Sequence, residues 1–364
     1  MTTRGTAKGT LPPTSHGLGG KISPPEKRDR ALKKPPSHPK PGRAFSSFTT
    51  TCLTRDSHRE EPRPALCCDV KYWDSDDPVP RTELLKGVTG IDGLYCLLTE
   101  KIDKELLDAA GPKLKVISTI SVRFDHLSLE EILKRGIRVG YTPDVLTNAT
   151  AELTVAWLLA TARRLMEAVA EATNGGWGTW KPTWLCGNGL SDSIVGLGRI
   201  GLAVARRLKP FGVKKFLYTD FEPKPEIAAE IQAEYMPLDK LAEQSDFVTV
   251  HCALTPETNG LCNKDLFSKM KKMAVFINTS RGAVVNQNDL YQALTTGQIG
   301  SAGLDVTVPE PLPTDHPLFA LKNCVILPHI ASATIATRTA MAVLTVNNLL
   351  AGLKDEPMPK ELTL

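Results

Sequence analysis

Three glycines at fixed spacing, in Gly196-Leu197-Gly198-Arg199-Ile200-Gly201, leave this chain few folds to choose from. They lead into a helical pattern over residues 202–208, and Lys215–Thr219 then reads as a strand. One glycine permits the tight turn, one lets backbone approach a pyrophosphate, and one allows close helix-strand packing, with the helix N-terminus facing the phosphates. Asp220 ends the following strand 19 residues past Gly201, close to the acidic position that binds a ribose hydroxyl at about 20. A dinucleotide site is therefore expected. The preceding strand is anomalous: only Ile194 and Val195 stand between Asp192-Ser193 and Gly196, whereas strands run about five or six residues. Either it begins in polar residues near Leu190 or it is truncated.

The surrounding texture fits a parallel α/β fold. Residues 94–98, 114–118 and 137–140 read as strands, separated by helical patterns at Lys104–Ala110 and 127–134. A long helix is expected over 148–165, followed by an irregular stretch with Trp177, Trp180 and Trp184. A second series of strands follows at Lys215–Thr219, 247–251, 274–278, 300–306 and 324–327. Two Rossmann-like parallel-sheet modules are expected, with a helix over 337–353 packing on one of them. The domain reading is an extension over 1–64, a substrate-binding module over 65–145 plus 335–364, and a dinucleotide-binding module over 146–334.

Charge separates the extension from the body. Residues 1–64 hold 13 basic and 5 acidic side chains and ten of the 27 prolines, whereas the other 300 residues hold 31 basic and 35 acidic. A stretch so poor in large apolar residues cannot offset its ordering entropy, so disorder is expected there. Its prolines and Gly17-Leu18-Gly19-Gly20 argue against an amphipathic transit peptide. The longest apolar window, 153–162, lies between Glu152 and Arg163, far short of the roughly 20 residues of a membrane span. Eight cysteines without C-x-x-C pairing suit a reducing, cytoplasmic setting without structural zinc.

Three chemically distinctive residues follow successive strands: Arg281 after 274–278, Glu310 after 300–306 and His329 after 324–327. Open α/β sheets place ligands at such strand ends. An Arg to hold a carboxylate and polarise a carbonyl, a His to protonate the reduced oxygen and a Glu to keep the His charged suit hydride transfer to a 2-keto acid.

With these residues in place, the body from about Cys68 to Leu364 resembles the D-isomer-specific 2-hydroxyacid dehydrogenases, in their branch that reduces glyoxylate and hydroxypyruvate. Trp73-Asp74-Ser75-Asp76, residues 140–147 (GYTPDVLT), Gly175-Gly176-Trp177, Leu261-Cys262-Asn263-Lys264 and Gly303-Leu304-Asp305-Val306 carry the likeness. The resemblance implies two α/β domains with the site in their cleft, a homodimer, and NAD(P)H-dependent reduction of glyoxylate to glycolate and hydroxypyruvate to D-glycerate. It places Arg281, Glu310 and His329 in the catalytic positions and Val122, Arg123 and Ser332 beside the substrate. Cofactor contacts are implied at Gly196, Gly198, Arg199, Ile200, Gly201, Asp220, Lys224, Ala253, Thr279, Asp305 and Ala331. The segment of Trp177, Trp180 and Trp184 is implied to reach a partner subunit's pocket. No nucleic-acid or membrane partner is expected.

Departures from that pattern set further expectations. Arg123 replaces the glycine of the substrate loop, where a large side chain would fill the pocket or offer a charge. Ala331 replaces another glycine, and the strand before Gly196 is three residues short beside the family. The first strand of the substrate module has only residues 48–54 to draw on. Asp220 and Glu222 would repel the 2′-phosphate of NADPH, which favours NADH even though the family branch prefers NADPH. The rival reading is a catalytically weak homologue acting as a dinucleotide-binding interaction protein.

Overall fold

A computed structural model describes residues 51–55, 68–75, 77–177 and 190–363. These residues form one compact unit. The first sheet contains β1 (Thr51–Arg55), β2 (Cys68–Tyr72), β3 (Gly93–Cys96), β4 (Val116–Thr119) and β5 (Arg138–Gly140), in the order β2-β1-β3-β4-β5. The second contains β6 (Ser191–Val195), β7 (Lys215–Thr219), β8 (Ala233–Tyr235), β9 (Phe247–Val250), β10 (Val275–Asn278), β11 (Ser301–Leu304) and β12 (Cys324–Ile326), in the order β12-β11-β10-β9-β6-β7-β8.

All neighbours in the second sheet are parallel, and the order reverses at β6. Ligands bind at such a reversal, beyond the carboxyl ends of the strands. The first sheet departs from the expected parallel module. β1 runs antiparallel to both β2 and β3, while β3, β4 and β5 are parallel. The linking residues 56–67 lie outside the described residues. β1 also shortens the expected extension, whose 64 residues include Thr51–Arg55; residues 1–50 lie outside the described residues.

Burial on both faces explains the strand composition. Along β4, Ile117 enters the cluster of Leu94, Leu106, Ile132 and Val139, while Val116 faces Met341, Leu349 and Leu353. Helices α1 (Arg81–Gly87), α2 (Lys104–Ala110) and α3 (Leu129–Lys134) precede α4 (Thr147–Ala162) and α5 (Leu165–Thr173). The single helix expected over 148–165 is therefore two, because Arg164 adopts a left-handed φ of 53° and turns the chain. α6 (Arg199–Leu208), α7 (Pro225–Ile231), α8 (Leu238–Gln244), α9 (Lys264–Lys269) and α10 (Gln287–Thr295) belong to the second sheet. The last helix, α11 (Ile335–Leu353), returns to pack across β3, β4 and β5. Among the described residues no helix is long and apolar enough to cross a membrane.

The doubtful strand resolves in favour of a polar beginning. β6 is five residues long, every one buried, and it pairs with β7 and β9 along its length. Truncation is thus corrected: Ser191, Asp192 and Ser193 occupy positions that a central strand fills with apolar residues. The serines are satisfied, Ser191 Oγ donating to Gln244 O over 2.7 Å and Ser193 Oγ sharing a hydrogen with Ser245 Oγ. Asp192 is not. Strand alternation puts it on the face of Ile194, in the apolar cluster with Phe216 and Phe247, and neither carboxylate oxygen has a hydrogen-bond partner. Burial pushes its pKa up to about 7, a shift that the Ser193 amide opposes without satisfying either oxygen.

Candidate active site at the strand ends

The glycine loop has the geometry its sequence implies. Gly196 has a left-handed φ of 98°, and a Cβ there would lie 2.6 Å from the Cys252 nitrogen. A Cβ on Gly201 would lie 2.5 Å from Gly196 O. Packing within the protein therefore demands both. Gly198 differs, because a Cβ on it would meet nothing within 4 Å. Its glycine answers to something the protein does not itself supply, which fits backbone lying against a bound pyrophosphate. Gly198 is the N-cap of α6 and makes no side-chain cap, so the first amides of that helix point at the same space.

A second pocket lies at the end of β7, where the sequence leads one to expect the ribose. Thr219, Asp220 and Phe221 line a pocket of about 150 Å³ with Gly196, Leu238 and Thr258. Asp220 Oδ1 accepts from the Phe221 amide over 2.9 Å, and Oδ2 pairs with Lys224 Nζ at 2.6 Å. The expected acidic group is present, but it holds the nearby cation to itself. Ala253 accepts from Thr258 Oγ1 over 2.6 Å and so fixes the loop beyond β9.

The opposite cleft collects the remaining expected residues. Val122, Arg123, Ile200, Thr279, Arg281, His329, Ala331 and Ser332 line one cleft with about 50 Å³ of free volume. They come from the ends of β4, β10 and β12 and from the head of α6. His329 Nδ1 lies 2.8 Å from Glu310 Oε2, and Glu310 Oε1 accepts from the Thr307 amide over 3.0 Å. Burial works against the Glu310 charge, but His329 and the Thr307 amide outweigh it and hold the carboxyl below its usual range. His329 Nε2 has no partner among the described residues.

Asp305 supports this arrangement from beneath. His329 has a left-handed φ of 53°, costly for a residue with a Cβ. Its amide donates to Asp305 O over 2.8 Å, and the Ile330 and Ala331 amides donate to the two Asp305 carboxylate oxygens over 2.8 and 2.9 Å. Three hydrogen bonds from one residue thus fix the loop that presents the imidazole. Burial pushes the Asp305 pKa up. Thr279 Oγ1 is bonded to Thr154 Oγ1 of α4 at 2.9 Å.

Several residues in the site carried no sequence signal of their own. Asp125 accepts from Arg281 Nε over 3.3 Å, aiming the guanidinium with the help of Ser280 O. Its place two residues after Arg123 in the substrate loop was the available hint. Arg338 lines the cleft and also an adjoining apolar chamber of about 690 Å³ that includes Leu97, Leu312 and Phe319. Arg123 is turned across the cleft, with Nη2 donating to His251 O over 3.2 Å. Arg199 pairs with Asp144. Trp177 is 88% exposed, and Trp180 and Trp184 lie outside the described residues.

Comparison with known proteins agrees with this geometry. Residues 155–331 match the model of the D-isomer specific 2-hydroxyacid dehydrogenase NAD binding domain. The chain is 62% identical over 328 residues to glyoxylate reductase/hydroxypyruvate reductase of Homo sapiens, a span covering 89% of this chain and 100% of that one. A glyoxylate reductase of Thermofilum pendens is 49% identical, covering 82% of this chain and 91% of its own. Among solved structures, a protein of Thermus thermophilus superposes with a TM-score of 0.73 at 45% identity, covering 78% of this chain and 90% of its own. The NADPH-dependent glyoxylate/hydroxypyruvate reductase of Sinorhizobium meliloti, solved with NADP and malonate, superposes with a TM-score of 0.70 at 33% identity, covering 78% and 86%.

Proposed function

Because the chain belongs to the D-isomer-specific 2-hydroxyacid dehydrogenases, we propose that it reduces glyoxylate to glycolate and hydroxypyruvate to D-glycerate with NAD(P)H. The observation that carries this reading is His329, held on Nδ1 by Glu310, lining the same cleft as Arg281 and Ile200 of the glycine loop. The intact pair gives no support to the non-catalytic alternative.

In this reading Arg281, aimed by Asp125, holds the keto-acid carboxylate and polarises the carbonyl. The amides of the Val122–Arg123 loop assist on the carboxylate, and Ser332 closes the other side. When bound, the reduced dinucleotide supplies a hydride to the carbonyl carbon. His329 delivers a proton to the carbonyl oxygen from Nε2, and Glu310 on Nδ1 orients the ring and balances its charge. The product is the 2-hydroxy acid, which carries the hydride on carbon and the proton on oxygen.

Residues 65–145 with 335–364 are assigned to substrate binding and 146–334 to the dinucleotide, a division supported by the return of α11 to the first sheet. NADH is favoured over NADPH through Asp220. A homodimer is supported by α5, which has no buried residue and exposes Leu165, Met166 and Val169. A reducing, cytoplasmic setting is supported by the free thiols of Cys96, Cys252, Cys262 and Cys324.

The test is a steady-state assay of NADH and NADPH oxidation with glyoxylate and hydroxypyruvate, run beside Arg123→Gly. Turnover by the parent supports the reading, whereas turnover by the glycine variant alone would show that Arg123 obstructs the site and would favour the catalytically weak alternative. Absence of turnover from both with every pairing rejects it.

A further inference from the structure

The end of β9 divides the cofactor region into two rooms. Gly196 packs directly on the His251–Cys252 backbone. On one side lies the pocket of Asp220 and Thr258, and on the other the cleft of Ile200, Thr279 and Arg281. A dinucleotide with its adenosine in the first room and its nicotinamide in the second must carry its pyrophosphate over this contact, past the head of α6.

Arg123 reaches that crossing from the other sheet. Its Nη2 hydrogen bond to His251 O spans 128 positions of sequence. The neighbouring cations have acidic partners, Arg281 with Asp125 and Arg199 with Asp144. Among the described residues the Arg123 guanidinium, with five N–H donors, has only the His251 carbonyl as a protein hydrogen-bond acceptor. Burial works against its charge and Arg281 adds repulsion, with Asp125 among the groups that oppose the shift. An anion at this point would offset the repulsion.

His251 gives an independent sign of a ligand. The side chain is only 6% exposed, lines the same cleft, and has no hydrogen-bond partner at either ring nitrogen. A buried imidazole left this way is costly unless something entering the cleft completes it.

We propose that Arg123 and His251 form an anion subsite for the dinucleotide pyrophosphate, so that the loop after β4 holds the cofactor from the opposite sheet. This rests on the reading of the cleft as a dinucleotide site. The side chain standing where the family has glycine is then a cofactor ligand, and the imidazole N–H of His251 is a second donor beside it.

Calorimetric titration of the full-length chain with NADH, ADP-ribose and adenosine tests the assignment, comparing the parent with Arg123→Met, Arg123→Lys and His251→Ala. Loss of a charge-assisted hydrogen bond should weaken NADH and ADP-ribose by about tenfold or more in Arg123→Met. Adenosine, which lacks the pyrophosphate, should bind all variants alike, and Arg123→Lys should recover part of the loss. A variant that melts like the parent yet binds ADP-ribose as tightly or more tightly would overturn the proposal. So would a change confined to oxalate affinity in the NADH complex, which would assign Arg123 to the substrate carboxylate. Failure of the folded parent and all variants to bind any dinucleotide would reject the underlying cofactor reading as well.

Discussion

His329 and Glu310 meet through Nδ1 and Oε2 at 2.8 Å, on loops that leave neighbouring strands, and this contact leaves Nε2 as the nitrogen without a partner. Replacing His329 with Ala should lower kcat by roughly 10²–10⁴-fold, the usual worth of a positioned acid-base group. Glu310→Gln keeps the shape and removes the charge, and about a tenfold or larger fall in kcat is expected from losing a charge-assisted hydrogen bond. The melting temperature should scarcely move, because the pair is partly exposed, 24% for His329 and 32% for Glu310. A Gln variant with parental kcat would remove Glu310 from the reaction. Since the Glu310 pKa is depressed, its charge should persist as pH falls to the ordinary glutamate value near 4.3 and be lost only below it.

Asp192 predicts a pH-dependent weakness in the second sheet. Its folded pKa is raised, so between the unfolded value near 3.9 and about 7 the folded state holds a proton that the unfolded state has released. Stability should therefore fall as pH rises through that window and level off above it. A shift of this size corresponds to about 4 kcal/mol at most, on the order of 1.36 kcal/mol per unit. Asp192→Val should raise the urea midpoint at pH 8 more than at pH 5 and flatten the parent's slope. Parallel slopes in the two proteins would count against an unpartnered carboxylate in this cluster.

The same strand shows where local pattern stops being informative. The glycines were legible because each answers a backbone requirement within a few residues: Gly196 and Gly201 through close packing and Gly198 through the space it leaves. Arg281, Glu310 and His329 were legible because strand ends are marked by the apolar runs before them. β6 was ambiguous because its burial comes from pairing with β7 and β9, not from its own side chains. The Arg123–His251 and Arg281–Asp125 contacts join residues 128 and 156 positions apart, beyond any periodicity. β1 was anticipated only as a candidate segment, and its antiparallel direction is seen only in its pairing with β2 and β3.

The 2.6 Å pair of Asp220 and Lys224 predicts a cofactor preference. While the carboxylate holds Lys224, a 2′-phosphate meets negative charge and gains little from the cation. NADH should bind about tenfold or more tightly than NADPH in a fluorescence titration, the scale of one charge-assisted hydrogen bond. Asp220→Ser removes the acceptor for a ribose hydroxyl and frees Lys224. NADPH affinity should then rise while NADH affinity falls. Tighter NADPH binding by the parent would show that Asp220 does not set the preference.

α5 makes the subunit arrangement testable. Leu165, Met166 and Val169 are 46%, 46% and 59% exposed, and the spacing of three and four residues places them along one side of the helix. A contiguous apolar strip of this kind marks an interaction surface. Light scattering should therefore give the parent twice the chain mass of 39.6 kDa. Val169→Asp places a charge in the middle of the strip, where desolvation would oppose association. The variant should shift toward the single-chain mass at low concentration while keeping the parent's circular dichroism spectrum, because no core contact of α5 is disturbed. A parent that scatters as a single chain at all concentrations would reject the dimer, and a Val169→Asp protein that remains fully dimeric would move the interface away from α5.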